Sequence, residues 1–254
     1  MPSYAEFSGR VVAVTGAAQG IGAVTARAFA EQQACVALLD RDEKGAREVA
    51  ARIVATGRPA LVVGTDVTDD KAVARAIANT VSEFGGLDVL INCAGGDGRL
   101  ATVADMTIDE WDRTMALNLR SVFLCCRAAI PHLKRSKAGR IINVASISGR
   151  TVHPASSPAY GAAKAGVIQF TRFLAYQLGP DGITANAIAP ITTLTPRVAA
   201  MHTPEDIERI AAQVPLGRLA VAEDHVQAML FLASDAAAYI TGVVLDVNGG
   251  RVMM

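Results

Sequence analysis

Tyr160 and Lys164 stand four residues apart in Tyr160-Gly161-Ala162-Ala163-Lys164. On a helix that spacing puts a phenol and an ammonium on one face, one turn apart. A tyrosine titrates near ~10 and is a poor acid or base at neutral pH. A positive charge beside it favours the phenolate and would suit it to proton transfer. The same pair is also what a solvated surface contact looks like, so its weight comes from a second group upstream. Gly16-Ala17-Ala18-Gln19-Gly20-Ile21-Gly22 follows the β-branched run 11–14 and leads into a helical stretch, 21–32. A strand, a glycine turn and a helix N-terminus together form an anion site, because the backbone can approach a pyrophosphate closely and free N–H groups point at it. The spacing is Gly-x-x-x-Gly-x-Gly, which differs from the common dinucleotide fingerprint. Asp40 closes the next apolar run, twenty residues after Gly20. A carboxylate there can accept hydrogen bonds from ribose hydroxyls.

These residues need elements to position them. Apolar, β-rich runs recur at 11–14, 36–39, 61–63, 89–91, 141–144, 183–188 and 243–247. Between them the pattern predicts helices over 21–32, 43–56, 69–84, 108–134, 158–178, 204–213 and 223–233. The alternation implies an α/β fold: one domain over residues 1–254, a doubly wound Rossmann-type parallel sheet of about seven strands with helices on both faces. Thr68 before Asp69-Asp70, and Thr203 before Pro204-Glu205-Asp206, read as helix N-caps. Residues 191–215, rich in Thr and Pro, read as a lid over the crevice at the strand ends.

The chain has 254 residues, 51% hydrophobic and 19% charged, with 24 Lys plus Arg against 24 Asp plus Glu. That excludes a disordered chain and gives no overall field to attract nucleic acid or an anionic membrane. Residues 1–7 lack the basic start and apolar stretch of a signal peptide, so a cytoplasmic location is expected. The four cysteines, Cys35, Cys93, Cys125 and Cys126, read as small core residues, the last two on different sides of a helix. The four histidines have no metal-ligand spacing, and no metal is expected.

Further motifs follow in order. Asp66-Val67 ends the third apolar run, Asn92-Cys93-Ala94-Gly95 follows the fourth, Asn118 interrupts Ala116-Leu117-Asn118-Leu119, and Ser146 ends Asn143-Val144-Ala145-Ser146. With Tyr160 and Lys164 these make the sequence resemble the short-chain dehydrogenase/reductase family over nearly its whole length. The resemblance implies hydride transfer between a nicotinamide and a carbinol or carbonyl carbon, with the protein managing one proton. Tyr160 would be the general acid/base and Lys164 would lower its pKa and bind the nicotinamide ribose. Ser146, with Ser148 as a rival, would hold the substrate oxygen. Asn118 would hold a water linking Lys164 to solvent, or would be a buried amide satisfied by backbone. Cofactor contacts are implied for Gly16, Gln19, Gly20, Ile21, Gly22, Asp40, Asp66, Val67, Asn92, Ala94, Gly95, Tyr160, Lys164, Pro190, Thr193 and Thr195.

Where the family has Pro-Gly after the sixth strand, this chain has Pro190-Ile191, a branched side chain expected beside the nicotinamide. Asp40 would repel a 2′-phosphate, which favours NAD over NADP, although Arg41 could swing toward one. The substrate is expected to be a secondary alcohol or ketone with an apolar, ring-containing or branched body, lined by Ser146, Ser148, His153, Ile191 and Met201. Arg150 and Arg197 are the nearest candidate cations for an anionic group. Sugar, steroid and acyl-thioester carbonyls remain open as substrates, as does a dinucleotide-binding regulator without catalysis. Apolar residues on 108–134 and 158–178 beyond one core face, together with the resemblance, predict a homotetramer.

Overall fold

The computed structural model describes residues 4–253, apart from the Arg197 side chain. Residues 1–3, part of the signal-peptide reading, lie outside the described residues. Seven strands, Val11–Thr15 (β1), Cys35–Asp40 (β2), Ala60–Gly64 (β3), Val89–Asn92 (β4), Arg140–Val144 (β5), Thr184–Pro190 (β6) and Val244–Val247 (β7), form one sheet in the order β3-β2-β1-β4-β5-β6-β7. All its pairs are parallel. The helices are Gly20–Glu31 (α1), Glu43–Val54 (α2), Asp70–Phe84 (α3), Ile108–Met115 (α4), Ser121–Leu133 (α5), Pro158–Leu178 (α6), Pro196–Ala199 (α7), Pro204–Ala211 (α8) and Ala222–Ala233 (α9).

Strands β1, β4, β5 and β6 are buried along their whole length, which is why they read as unbroken apolar runs rather than alternating ones. Alternate residues serve different cores. Val11 and Ala13 pack with residues of α3, α5 and α6, whereas Val12 and Val14 pack with residues of α1, α2 and α9. The strand order reverses between β1 and β4, so the loops leaving these two strands part and a crevice opens at their carboxyl ends. Thr15 at the end of β1 fixes the floor of that crevice. Its hydroxyl accepts from the backbone N–H groups of Cys93 and Ala94, both at 3.0 Å.

Several local expectations change. The cap of α3 is Asp69, whose carboxylate accepts from Lys71 and Ala72 N–H, while Thr68 donates through both its N–H and hydroxyl to Asp66. That Asx turn moves the helix start one residue on. Thr203 does cap α8, in a reciprocal box with Asp206. The helix expected over 108–134 carries a π turn, Ala116–Arg120, between α4 and α5. The cause is local. The Ser121 hydroxyl takes the Leu117 carbonyl at 2.5 Å, and the Ser121 N–H reaches back five residues to Ala116. Cys125 and Cys126 are both buried in the same core cluster, as small core residues. Residues 191–215 contain α7 and α8, and Thr193 forms a single bridge to Ala220.

Candidate active site

The turn after β1 is held by close backbone packing. Gly16 has φ +68°, and a Cβ there would lie 2.8 Å from the Ala94 Cα; a Cβ on Gly22 would lie 2.1 Å from the Gly16 carbonyl oxygen. No side chain larger than hydrogen fits at either place. Helix α1 then starts at Gly20 after Gln19, with no side-chain cap and no acid in its first turn. Its leading N–H groups are thus left for an external acceptor. Ile21 follows in that first turn. Asp40, at the end of β2, turns its carboxylate to this loop: Oδ2 accepts from Ala18 N–H and Oδ1 from Asp42 N–H, both at 2.9 Å.

On the third strand's side, Asp66 is exposed and its Oδ1 takes both bonds from Thr68; these bonds hold its carboxyl below the usual range. Arg41 faces Asp66 closely enough to lower it further. Val67 sends its side chain into the core. Asn92 is buried with its amide donating to Asn143 Oδ1 at 2.8 Å, so the side chain joins β4 to β5.

The proton-transfer candidates meet at the carboxyl ends of β4 and β5. Ser146, two residues beyond β5, lies close to the Tyr160 phenol, and Ser148 instead pairs with Ser156 at 2.7 Å. Lys164 is buried, with Nζ donating to the Val144 carbonyl at 2.8 Å and lying 5.6 Å from the Tyr160 ring centre. Burial pushes the Tyr160 phenol up to about 12 and the Lys164 ammonium down to about 8. The phenol thus lies above its ordinary value, with desolvation of the ring the largest cause, and the ammonium is directed at a carbonyl. Asn118 sits in the π turn with its side chain fully buried. Its Nδ2 donates to Gly96 and Thr114 carbonyls, and its Oδ1 accepts from Gly96 N–H. A Cβ on Gly95 would lie 2.8 Å from Asn118 Oδ1 and 3.3 Å from Lys164 Nζ, so both groups close over that glycine.

The family model described as enoyl-(acyl carrier protein) reductase matches residues 16–251. Cis-4-hydroxycyclohexanecarboxylate dehydrogenase of Sinomonas cyclohexanicum is 44% identical over 245 residues, covering 96% of this chain and 97% of its own. The chain belongs to the short-chain dehydrogenase/reductase family. Also similar are 2-dehydro-3-deoxy-L-rhamnonate dehydrogenase (NAD(+)) of Sphingomonas sp., 34% identical over 96% of each chain, and a solved dehydrogenase/reductase from Sinorhizobium meliloti 1021, 32% identical with TM-score 0.90 over 97% of this chain and 96% of that one. As members of this family use nicotinamide dinucleotides, the uncapped α1 and the Asp40 carboxylate fit such a cofactor.

In this family member the second half of the crevice departs from expectation. Ile191 is buried in a small cluster with Ile147, Val214, Ala220 and Val252. The Thr193 hydroxyl is buried too, donating to the Ile191 carbonyl and pairing with His225 Nε2 at 2.7 Å; burial holds that imidazole near about 4. Pro190 ends β6; Thr195 caps α7, and its Cγ2 lies 3.5 Å from where a Gly20 Cβ would be, so it faces the glycine turn. His153 is half-buried and Met201 is exposed. Arg150, expected as a free cation, pairs through two nitrogens with Asp246 and donates to the Val244 carbonyl. The Arg197 side chain lies outside the described residues. Sequence reading missed the roles of Thr15 and Asp97, each of which has a partner 60 or more residues away.

Proposed function

We propose that the protein is an NAD-dependent dehydrogenase/reductase that interconverts a secondary alcohol and a ketone. The observation that carries this reading is the meeting of Ser146, Tyr160 and Lys164 at the end of β5, across the crevice from the uncapped α1. When bound, the nicotinamide supplies the hydride donor or acceptor. Tyr160 gives its phenolic proton to the carbonyl oxygen in reduction and, as phenolate, removes the hydroxyl proton in oxidation. Because burial keeps the phenol protonated, oxidation accelerates as pH rises and reduction is favoured near neutrality. Ser146 holds the substrate oxygen against the phenol, a positioning role. Lys164 contacts the nicotinamide ribose, and Asn118 lies beside it over Gly95, where its Oδ1 retains a lone pair for a water.

NAD is favoured by the Asp40 carboxylate, which would repel a 2′-phosphate, and by the position of Arg41 near Asp66. The NAD(+) in the name of the Sphingomonas relative agrees. An apolar, ring-bearing substrate is suggested by the uncharged residues about the reacting centre, by the engagement of Arg150 with Asp246, and by the cyclohexane ring in the Sinomonas relative's name. Residues 191–215 serve as the lid. The exposed faces of α5 and α6 carry Phe123, Phe173 and Tyr176, the last 84% exposed, which supports a homotetramer assembled through these helices. No helix among the described residues is long and apolar enough to cross a membrane, in keeping with a cytoplasmic enzyme.

The test is cofactor turnover on a panel of cyclic, branched, sugar and acyl-thioester carbonyls with NAD(H) and NADP(H). Selective turnover of neutral cyclic or branched ketones with NAD(H) is expected. Equal efficiency with NADP(H) contradicts the cofactor reading, and cofactor binding with no turnover on any substrate points to a regulator. A stable monomer by light scattering at micromolar concentration contradicts the tetramer.

A further inference from the structure

We propose that Asp97 is a positioning residue for Tyr160, holding the first turn of α6 through Ser157 and placing a negative charge beside the phenol. The inference rests on Tyr160 as the proton-transfer group. Asp97 lies in the loop after β4. Its Oδ1 accepts from the Ser157 hydroxyl at 2.5 Å and its Oδ2 from the Ser157 N–H at 2.9 Å. The same Ser157 oxygen caps α6 by accepting from Tyr160 N–H at 3.2 Å. Carboxylate, hydroxyl and tyrosine backbone thus form one relay, with a charge-assisted bond at its head. The loop itself is pinned, since Gly96 is bound on both sides by Asn118 and Gly98 N–H donates to Asp97 Oδ1.

A serine alone suffices to cap a helix. The added carboxylate costs something, because it opposes a phenolate. The groups facing the phenol are Asp97 from this loop, Cys93 from the end of β4, Ser146 from the end of β5 and Lys164 one turn along α6. Asp97 and Cys93 push its proton affinity up and Ser146 pulls it down. Burial raises the Cys93 thiol to about 12 and so keeps it neutral at working pH. Asp97 therefore biases the site toward the protonated phenol, the form that donates in reduction.

The test is the pH profile of kcat/KM for oxidation of the alcohol formed from the best cyclic ketone of the panel above, with NAD, in wild type and variants. Asp97→Asn is expected to move the acid limb to lower pH by roughly half a unit, the scale for removal of one nearby screened charge. Asp97→Glu, which keeps the charge, leaves the limb where it is. Ser157→Ala lowers the unfolding midpoint without moving the limb. Should Asp97→Asn fail to fold, Asp97→Ser gives the same shift. An unmoved limb in the neutral variant, or an equal shift in Ser157→Ala, overturns the proposal. Tyr160→Phe separates the two readings: retained turnover there overturns the role of Tyr160, whereas lost turnover with an unmoved limb overturns only that of Asp97.

Discussion

Helices α1 and α6 both begin at the carboxyl edge of the sheet, yet their first turns are finished in opposite ways. Helix α1 opens on Gly20 with no side-chain cap, while α6 is closed by Ser157, which Asp97 in turn holds. A good cap contributes about 1 kcal/mol, so omitting it at α1 leaves stability unused. The difference is explained if α1 receives its acceptors from a pyrophosphate, and if α6 must be fixed because Tyr160 is its third residue. One helix start is built to bind and the other to aim.

The strongest test of this contrast is Tyr160→Phe, which should lower turnover roughly 10²–10⁴-fold, the usual worth of an acid/base group, with cofactor affinity unchanged by titration. Turnover above about a tenth of wild type, a loss under ~1.4 kcal/mol, would remove Tyr160 from the chemistry. Next in size is Gly22→Ala. Its methyl would lie 2.1 Å from the Gly16 carbonyl oxygen, so the turn must open, and calorimetry should show cofactor binding weakened by more than about tenfold.

Gln19→Asp sharpens the contrast by adding the missing cap. Urea unfolding of the cofactor-free protein should show a gain of about 0.5–1 kcal/mol while cofactor affinity falls, because the new carboxylate competes with the phosphates. A gain in both would mean the open end is not the anion site. Ser157→Ala is expected to act on stability alone, a loss of about 1 kcal/mol with cofactor affinity unaltered. Equal damage to cofactor binding would dissolve the distinction between the two ends.

Much of this was legible in the chain because the signals are local. The strands buried on both faces announce themselves as apolar runs, and the glycine turn, Asp40 and the Tyr160–Lys164 spacing each lie within a few residues of the element that carries them. What the chain hid depends on contacts across the fold. Asp97 and Ser157 are 60 residues apart, and Thr15 reaches Cys93 and Ala94 across the sheet. The position of Ile191 relative to the family pattern is visible in the chain, but the cluster that takes up its side chain is not, because it draws on residues as distant as Ile147 and Val252. Replacing it with glycine would remove a side chain from that small core. The pKa of Tyr160 was misjudged for a related reason: spacing reveals a neighbouring charge but not how far water is excluded.

The π turn at Ala116–Arg120 is, in effect, a one-residue insertion that the helix has kept. Removing a single residue from it would let α4 and α5 join as one regular helix, rotating one half against the other by about 100°. Asn118 would then leave Gly96, and the loop leading to Asp97 would lose its anchor. A deletion library scored for folding alone could accept such a chain; one scored for turnover should reject it. The defect in the helix keeps two surfaces in phase, and no exchange of one side chain for another can restore that phase once the length is lost.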